Sequence, residues 1–164
     1  MSPLDHPLIR RFIEDAGNAT QALGIGRTIG QIYAYLYFSE TPRTLDDIKD
    51  ALGISKGSAS MSVRQLEGWG AVQRTWVRGD RKDYYMANDY FGRIVRGFVQ
   101  DMMSKRIESF ARLLDEAESG LNGSGRGNNG ADVAFLRGRI QRLRQFQKKA
   151  AALWNNPVVQ MLLK

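Results

Sequence analysis

The chain has 164 residues, 43% of them hydrophobic, which is enough for one domain with a core of its own or one compact unit with dimerising extensions. Its formal net charge of +7 favours an anionic partner. The absence of cysteine and the single histidine, His6, exclude disulfides, a thiolate switch and a zinc site built from these ligands.

Two helices are predicted before residue 40. Apolar residues recur at near-helical spacing over residues 9–23, and the proline at position 7 suits a helix start. A second helix, over about residues 27–38, places isoleucines and a leucine on one face and tyrosines beside it. Three glycines here miss the spacing of a nucleotide-binding loop, and we interpret them as close-packing residues: Gly24, Gly26 and Gly30.

Two short helices joined by a tight turn are predicted next. Thr44, followed three residues later by Asp47, approaches the capping-box pattern at the start of the first helix, and Gly53 ends it. Ser55 is placed to cap a second helix, which runs from about Lys56 to Glu67. This order is typical of a helix-turn-helix.

One face of the second helix carries small, polar and basic side chains and no large aliphatic residue. Glycine and serine are poor helix formers, so this face costs stability unless something else requires it. A major groove about 12 Å wide admits a helix with small side chains, and arginine and glutamine can then reach base edges. We predict a DNA-recognition helix; the alternative is an exposed helix that is simply solvated. The side chains predicted to face DNA are Lys56, Ser58, Ser60, Met61, Arg64 and Gln65.

A basic β-hairpin is predicted after the second helix. Residues 71–77 and 83–87 are rich in β-branched and aromatic residues, and they flank a turn containing Gly79 and Asp80. Long cationic side chains at such a tip can neutralise phosphates or enter the minor groove. The alternative is a charged tip that serves solubility. The predicted DNA contacts on this wing are Arg74, Arg78, Arg81 and Lys82.

These residues resemble the MarR family of bacterial repressors, and more closely its GbsR-like branch. The resemblance covers about residues 20–90, through GIGRTIGQIYAYLY, ISKGSASMSVRQLEGWG and VRGDRKDYY. It implies a homodimer with interlocking terminal helices that binds a pseudo-palindromic operator in double-stranded DNA and releases it when a small molecule or oxidant is sensed. The family places an arginine two residues after the acidic wing residue, whereas here Arg81 and then Lys82 follow Asp80. Which of these two cations enters the minor groove stays open.

Two long helices are predicted in the C-terminal part, over about residues 89–118 and 132–154. The first would be about 45 Å long, more than a small DNA-binding head can cover. A mobile connection is expected at residues 119–131, which are rich in glycine and asparagine. Arg139 lies within the apolar arc of the last helix, where it could form an ion pair across a dimer or extend to solvent.

The predicted fold is mainly α-helical with a small β-hairpin wing, in three parts. Residues 1–23 form an N-terminal dimerisation helix, residues 24–88 a winged helix-turn-helix DNA-binding domain, and residues 89–164 a long linker helix, a flexible loop and C-terminal dimerisation helices. The predicted function is a dimeric, sequence-specific DNA-binding regulator and repressor modulated by a small molecule. The alternative is a winged-helix module that binds another protein and not DNA.

A small-molecule site is predicted among aromatic side chains, because the lack of cysteine argues against an oxidant switch. The GbsR-like resemblance implies choline or related quaternary ammonium ligands, which aromatic rings hold by cation–π contacts. The candidate residues are Tyr33, Tyr37 and Trp76, with core packing as the alternative. No catalytic constellation, cofactor site, signal peptide or membrane span is visible, so we expect a cytoplasmic protein that is not an enzyme.

Overall fold

The computed structural model of the chain describes residues 3–123 and 130–162. These residues form a short 3-10 turn, seven α-helices and three strands, which confirms the predicted mainly helical fold with a small β wing. The chain divides into two compact units, Met1–Gly97 and Phe98–Lys164. No helix among the described residues is both long and apolar enough to cross a membrane. In chain order the elements are α1 (Pro7–Ala22), α2 (Arg27–Tyr37), β1 (Arg43–Thr44), α3 (Leu45–Leu52), α4 (Lys56–Gly68), β2 (Val72–Thr75), β3 (Tyr84–Ala87), α5 (Phe91–Gly123), α6 (Gly130–Trp154) and α7 (Pro157–Leu162).

Helices α1 and α2 pack closely because Gly30 has no side chain. A Cβ atom at this position would clash with the backbone carbonyl of Ala16, so the close-packing interpretation holds for Gly30. It is wrong for Gly24 and Gly26, which have no atom within 4 Å of a Cβ built on them. Their φ angles of +72° and +114° show that they are needed for the turn between the two helices, where L side chains would be strained.

Helices α3 and α4 begin at the predicted caps. Thr44 Oγ1 accepts a hydrogen bond from Asp47 N at 3.1 Å, and Asp47 Oδ2 accepts one from Thr44 N at 2.8 Å, which completes a capping box. Gly53 ends α3 in the left-handed conformation at φ +64°. Ser55 Oγ accepts a hydrogen bond from Ser58 N at 3.1 Å and so fixes the start of α4.

The wing is part of a three-stranded antiparallel sheet in the order β1-β3-β2. Strands β2 and β3 form the predicted hairpin, with Arg74 opposite Tyr85 and Thr75 opposite Tyr84. Strand β1 was not predicted; it has two residues, too few to show the alternation that marks a strand. It pairs with β3 on the other side and thereby attaches the hairpin to the start of α3.

Unit 1 has a continuous apolar core, which α2 shares with α1, α3, α4 and the sheet. Helix α5 begins against the end of α4, since a Cβ at Gly97 would lie 2.5 Å from the carbonyl oxygen of Trp69. The asparagine that follows β3 closes the same corner, because the Asn88 side chain donates to Gly70 O at 2.9 Å. The largest buried core side chains of this unit are Ile13, Ile29, Ile32, Tyr35, Leu36, Ile48, Val63, Leu66, Trp69, Val72 and Tyr85.

In unit 2, α6 runs antiparallel to the C-terminal part of α5, and polar contacts join the two helices. Arg144 donates to Asp115 at 2.6 Å and to Glu118 at 3.2 Å, and Arg137 donates to Asn122 at 3.2 Å. The hydrogen bond to Glu118 is the main cause that raises the pKa of Arg144. Leu114 is the one fully buried apolar side chain in the described part of this unit.

The expected loop at residues 119–131 is wrong at both ends. Helix α5 continues to Gly123 and α6 already begins at Gly130, while residues 124–129 lie outside the described residues. Leu121 and Asn122 face α6 near Ile140 and Arg137. Glycine weakens a helix by only about 1 kcal/mol per residue, which packing against a neighbouring helix can offset.

Candidate nucleic-acid interface

The outward face of α4 carries the side chains that the sequence predicts there. Ala59, Val63 and Leu66 are buried on the inner side, whereas Met61 is 74% exposed and Arg64 is exposed. Because the inner side alone packs on the core, the outer side is available to a partner. We call the outer set the α4 surface: Lys56, Ser58, Ser60, Met61, Arg64 and Gln65, of which the two serines and the glutamine are half-buried.

The two cations of the α4 surface differ in their surroundings. Lys56 Nζ lies 3.0 Å from Asp46 Oδ1 on α3, and this hydrogen bond is the main cause that lowers the pKa of Asp46. Arg64 has no carboxylate within 4.0 Å in the described part of the chain. A phosphate would therefore have to replace Asp46 at Lys56, whereas Arg64 can extend to a base edge without losing an ion pair.

The tip of the wing presents three exposed cations, Arg78, Arg81 and Lys82, here called the wing cations. Within the described residues, none of the three lies within ion-pairing distance of a carboxylate. The positive charge of Lys82 is one of the smaller causes that lower the pKa of Asp46. Asp46 at the start of α3 thus has Lys56 of α4 as an ion-pair partner and Lys82 of the wing as a more distant positive charge.

Asp80 holds the wing turn in shape. Its Oδ1 accepts a hydrogen bond from Lys82 N at 3.0 Å, and its Oδ2 accepts one from the Tyr84 hydroxyl at 2.8 Å. The hydrogen bond from Tyr84 is the first cause that lowers the pKa of Asp80. Gly79 supplies the left-handed residue of the turn at φ +88°. Sequence reasoning missed the role of Tyr84, although its position four residues after Asp80 across a tight turn is the signal that could have found it.

Arg74 differs from the wing cations because it is paired inside the molecule. Its Nε lies 3.6 Å from Glu67 of α4, its Nη1 lies 3.3 Å from Asp83, and its guanidinium lies 5.7 Å from the centre of the Tyr85 ring. Tyr85 and then Asp83 are the main causes that raise the pKa of Arg74. Arg74 thus joins the end of α4 to the base of the wing.

Tyr33 and Tyr37, two of the predicted ligand-binding residues, lie together in an aromatic cluster of unit 1. Their ring centroids are 6.0 Å apart, and Tyr37 also contacts Phe38 at 5.3 Å and Phe91 at 5.8 Å. Tyr33 is half-buried and donates its hydroxyl hydrogen bond to Asn88 O at 2.8 Å, and burial raises the pKa of Tyr33 to about 12.

Trp76, the third predicted ligand-binding residue, lies on the wing and takes no part in the ring contacts of that cluster. It is 80% exposed. The structure therefore brings Tyr33 and Tyr37 together but leaves Trp76 outside the group. Within the described ranges no cluster of three metal-ligating side chains is present.

Known regulators resemble this chain in sequence and in fold. It is 27% identical over 109 residues to the HTH-type transcriptional repressor GbsR of Bacillus subtilis (strain 168), a match covering 66% of this chain and 60% of that protein. It is 30% identical over 116 residues to YvaV of the same organism, whose name describes an HTH-type transcriptional regulator, with 64% and 66% covered. This chain thus spans less than two thirds of the length of either relative. No family model matches it.

One solved structure resembles this chain over nearly its whole length. The crystal structure of a transcriptional regulator superposes with a TM-score of 0.58 at 26% identity, covering 96% of both chains. It agrees with the arrangement described above, in which α3 and α4 form the helix-turn-helix and β2 and β3 form the wing. The chain therefore has the winged helix-turn-helix fold, and in sequence it is similar to HTH-type transcriptional regulators such as GbsR and YvaV.

Proposed function

We propose that this chain is a sequence-specific DNA-binding transcriptional regulator that acts as a homodimer on a pseudo-palindromic double-stranded operator. Helix α4 enters the major groove, and the wing cations contact the phosphate backbone or the minor groove beside it. The carrying observation is that the outer side of α4 and the tip of the wing present exposed cations without an ion-pairing carboxylate among the described residues: Arg64 on α4 and Arg78, Arg81 and Lys82 on the wing. Repression is the proposed outcome, by analogy with the repressor GbsR.

Helix α4 and the wing cations differ in charge and shape, so we assign them different roles in DNA binding. Arg64 and Gln65 have the hydrogen-bonding groups to read base edges, while Ser58 and Ser60 are small enough for the α4 backbone to approach the groove. The wing cations carry no sequence information in phosphate contacts, so they supply general affinity. Each neutralised phosphate releases counterions and makes binding sensitive to salt.

Exposed apolar side chains on α6 support the homodimer. Phe135, Phe146 and Leu153 are exposed, and their spacing of 11 and 7 residues places them on one side of the helix. The opposite side, which includes Ile140 and Arg144, faces α5. A second apolar stripe that the unit does not cover by itself is suited to burial against another copy.

The aromatic cluster around Tyr33 and Tyr37 is the proposed site of a small-molecule effector. Tyr37 is exposed, and Asp89 lies close enough to help raise the pKa of Tyr33, so aromatic faces and a negative charge occur together. This combination suits a quaternary ammonium compound such as choline. Such a ligand regulates DNA binding only when it binds one conformation of the dimer better than the other.

Fluorescence anisotropy with a labelled duplex from the DNA upstream of the chain's own gene tests the proposal. We expect a log–log salt slope near −5 to −7, which corresponds to roughly six to eight neutralised phosphates per dimer. Arg64→Ala should cost about 1–3 kcal/mol on this duplex and reduce the preference over unrelated DNA. Arg81→Ala or Lys82→Ala should weaken binding to every sequence and lower the slope.

Arg11→Ala provides a charge-matched control, because it removes one positive charge from α1, where Arg11 pairs with Asp15. It should leave both affinity and specificity nearly unchanged. Equal binding by the wild type and by both wing variants would contradict the role of the wing.

The effector proposal has its own test. Titration with choline should change the anisotropy at fixed protein concentration, and Tyr37→Ala should remove that response. An unchanged anisotropy signal would reject choline as the effector and leave the DNA-binding proposal intact.

A further inference from the structure

Trp76 is the most exposed large apolar side chain in the described part of the chain, at 80%. It follows Thr75, the last residue of β2, and stands two residues before the wing cation Arg78. An indole in water is unfavourable, and its burial in a complex would release that free energy. Neither the core nor the aromatic cluster of unit 1 covers it.

The hairpin shows which elements lie near Trp76. Arg74 is directly opposite the buried Tyr85, and Arg74 reaches Glu67 on α4, so this face of β2 is turned toward α4. Trp76 comes one residue beyond the end of β2 and two residues after Arg74, so it stands between Arg74 at the base of the wing and the wing cations at its tip.

The charges around Trp76 select the partner that could cover it. An apolar protein surface would have to remove water from the nearby guanidinium and ammonium groups without offering them a countercharge. A DNA backbone offers phosphates to Arg78, Arg81 and Lys82 and the apolar face of a deoxyribose to the indole ring. The indole N–H is in addition a hydrogen-bond donor that a phosphate oxygen can accept.

We propose that Trp76 is a DNA-contacting residue that packs on the sugar-phosphate backbone between the groove entered by α4 and the groove entered by the wing. This inference rests on the proposed function and adds an uncharged contact to it. It gives Trp76 a role in affinity separate from the counterion release of the wing cations. Because tryptophan carries no charge, its loss should weaken binding without changing the salt slope.

Tryptophan fluorescence of the full chain tests this contact, with a mixed-sequence duplex of about 30 base pairs at low salt as the probe. DNA should protect the wild type from acrylamide quenching, and the protection should disappear in Trp76→Phe. Trp154→Phe is the matched control, because Trp154 is half-buried and lies on α6 in unit 2. Trp154→Phe should keep the protection by DNA. The fluorescence of the buried Trp69 should not change when DNA is added.

The affinity of Trp76→Ala supplies a second readout. We expect binding weaker by roughly five- to twentyfold, with the slope of the wild type. Arg78→Ala should instead lower the magnitude of the slope by about 0.9 for each contact removed. Since Trp76 makes no core contact, an unchanged circular dichroism spectrum and thermal midpoint should show that the variant is folded.

Three outcomes would overturn the inference. If the duplex binds but leaves Trp76 open to acrylamide, and Trp76→Ala binds as tightly as the wild type, Trp76 is not a contact and the proposed function stands. If Trp76→Ala alters the oligomeric state in light scattering while DNA gives no protection, a second copy covers the residue. If the wild type binds no duplex even at low salt, the proposed function fails and this inference fails with it.

Discussion

Unit 1 buries its own core, whereas unit 2 leaves much of its apolar surface exposed. All but one of the buried apolar side chains of the described residues lie in unit 1, and the exception is Leu114. In unit 2, α5 and α6 are joined through Arg144 and its two carboxylates, while Phe146 and Leu153 face outward. The difference leads us to expect that unit 1 is stable by itself, and that the proposed homodimer would cover the apolar surface of unit 2.

The largest expected effect is in the core of unit 1. Gly30→Ala should destabilise the chain by about 3 kcal/mol or more, because the new methyl group would collide with the rigid backbone of Ala16. Urea denaturation followed by circular dichroism measures this loss. Such a change would show that the contact between α1 and α2 is part of the independent core of unit 1.

Gly92→Ala is the matched control for that substitution. Gly92 lies in the first turn of α5, and a Cβ built on it has no neighbour within 4 Å. Alanine should be neutral there, or stabilising by up to about 1 kcal/mol, because it is the better helix former. Equal stability of Gly30→Ala and the wild type would contradict the close-packing argument.

The second prediction concerns the proposed homodimer. Phe146→Glu should weaken this dimer by about 2–3 kcal/mol for each substituted chain, because the Phe146 ring, which is exposed in the single chain and would be buried by a second copy, is replaced by a charge. Light scattering after size exclusion should give the monomer mass. Gln145→Glu adds the same charge at an exposed neighbouring position and should remain dimeric. A monomeric wild type at micromolar concentration would reject the dimer altogether.

The same contrast explains how much the sequence could predict. The caps at Thr44 and Ser55 and the left-handed Gly53 were predicted correctly, because each depends on residues within three or four positions. The pairing of Arg74 with Glu67 and Asp83 could not be read in the same way, because it requires the hairpin and α4 to be placed in space.

Helix α6 shows a second limit of sequence reasoning. The sequence analysis placed one apolar arc on this helix, but the structure has two apolar stripes. One stripe, with Ile140 and Arg144, faces α5, and the other, with Phe146, is exposed. A pattern of apolar residues predicts that one face of a helix is covered, but it does not predict which element covers that face. Arg139, which that pattern left ambiguous, is exposed and lies over the Phe135 ring at 5.1 Å.

The third prediction tests a local feature of unit 1. Thr44→Ala should cost about 1–2 kcal/mol, because it removes the hydroxyl that accepts from Asp47 N and leaves the start of α3 uncapped. Chemical denaturation measures the change. Thr28→Ala is the control, since Thr28 lies in the first turn of α2, which has no side-chain cap. If the two variants lose the same stability, the capping box is not the cause.

The smallest expected effect is the pH dependence of Tyr33. At neutral pH, Tyr33→Phe should lose about 0.5–1.5 kcal/mol with the hydrogen bond to Asn88 O. Since burial raises the pKa of Tyr33 to about 12, the folded state keeps the phenol protonated while the unfolded tyrosine ionises near 10. The folded state then binds more protons than the unfolded state, so this contribution is complete below pH 10 and is lost between pH 10 and 12.

The difference in urea midpoint between the wild type and Tyr33→Phe should therefore shrink as the pH rises through that window. The other tyrosines are present in both proteins, so the difference isolates Tyr33. Parallel stability curves for the wild type and Tyr33→Phe between pH 7 and about 12 would show that the Tyr33 hydroxyl is not protected in the folded state. In that case the aromatic cluster would be open to solvent and less suited to hold a ligand away from water, whereas a shrinking difference would support a sheltered site.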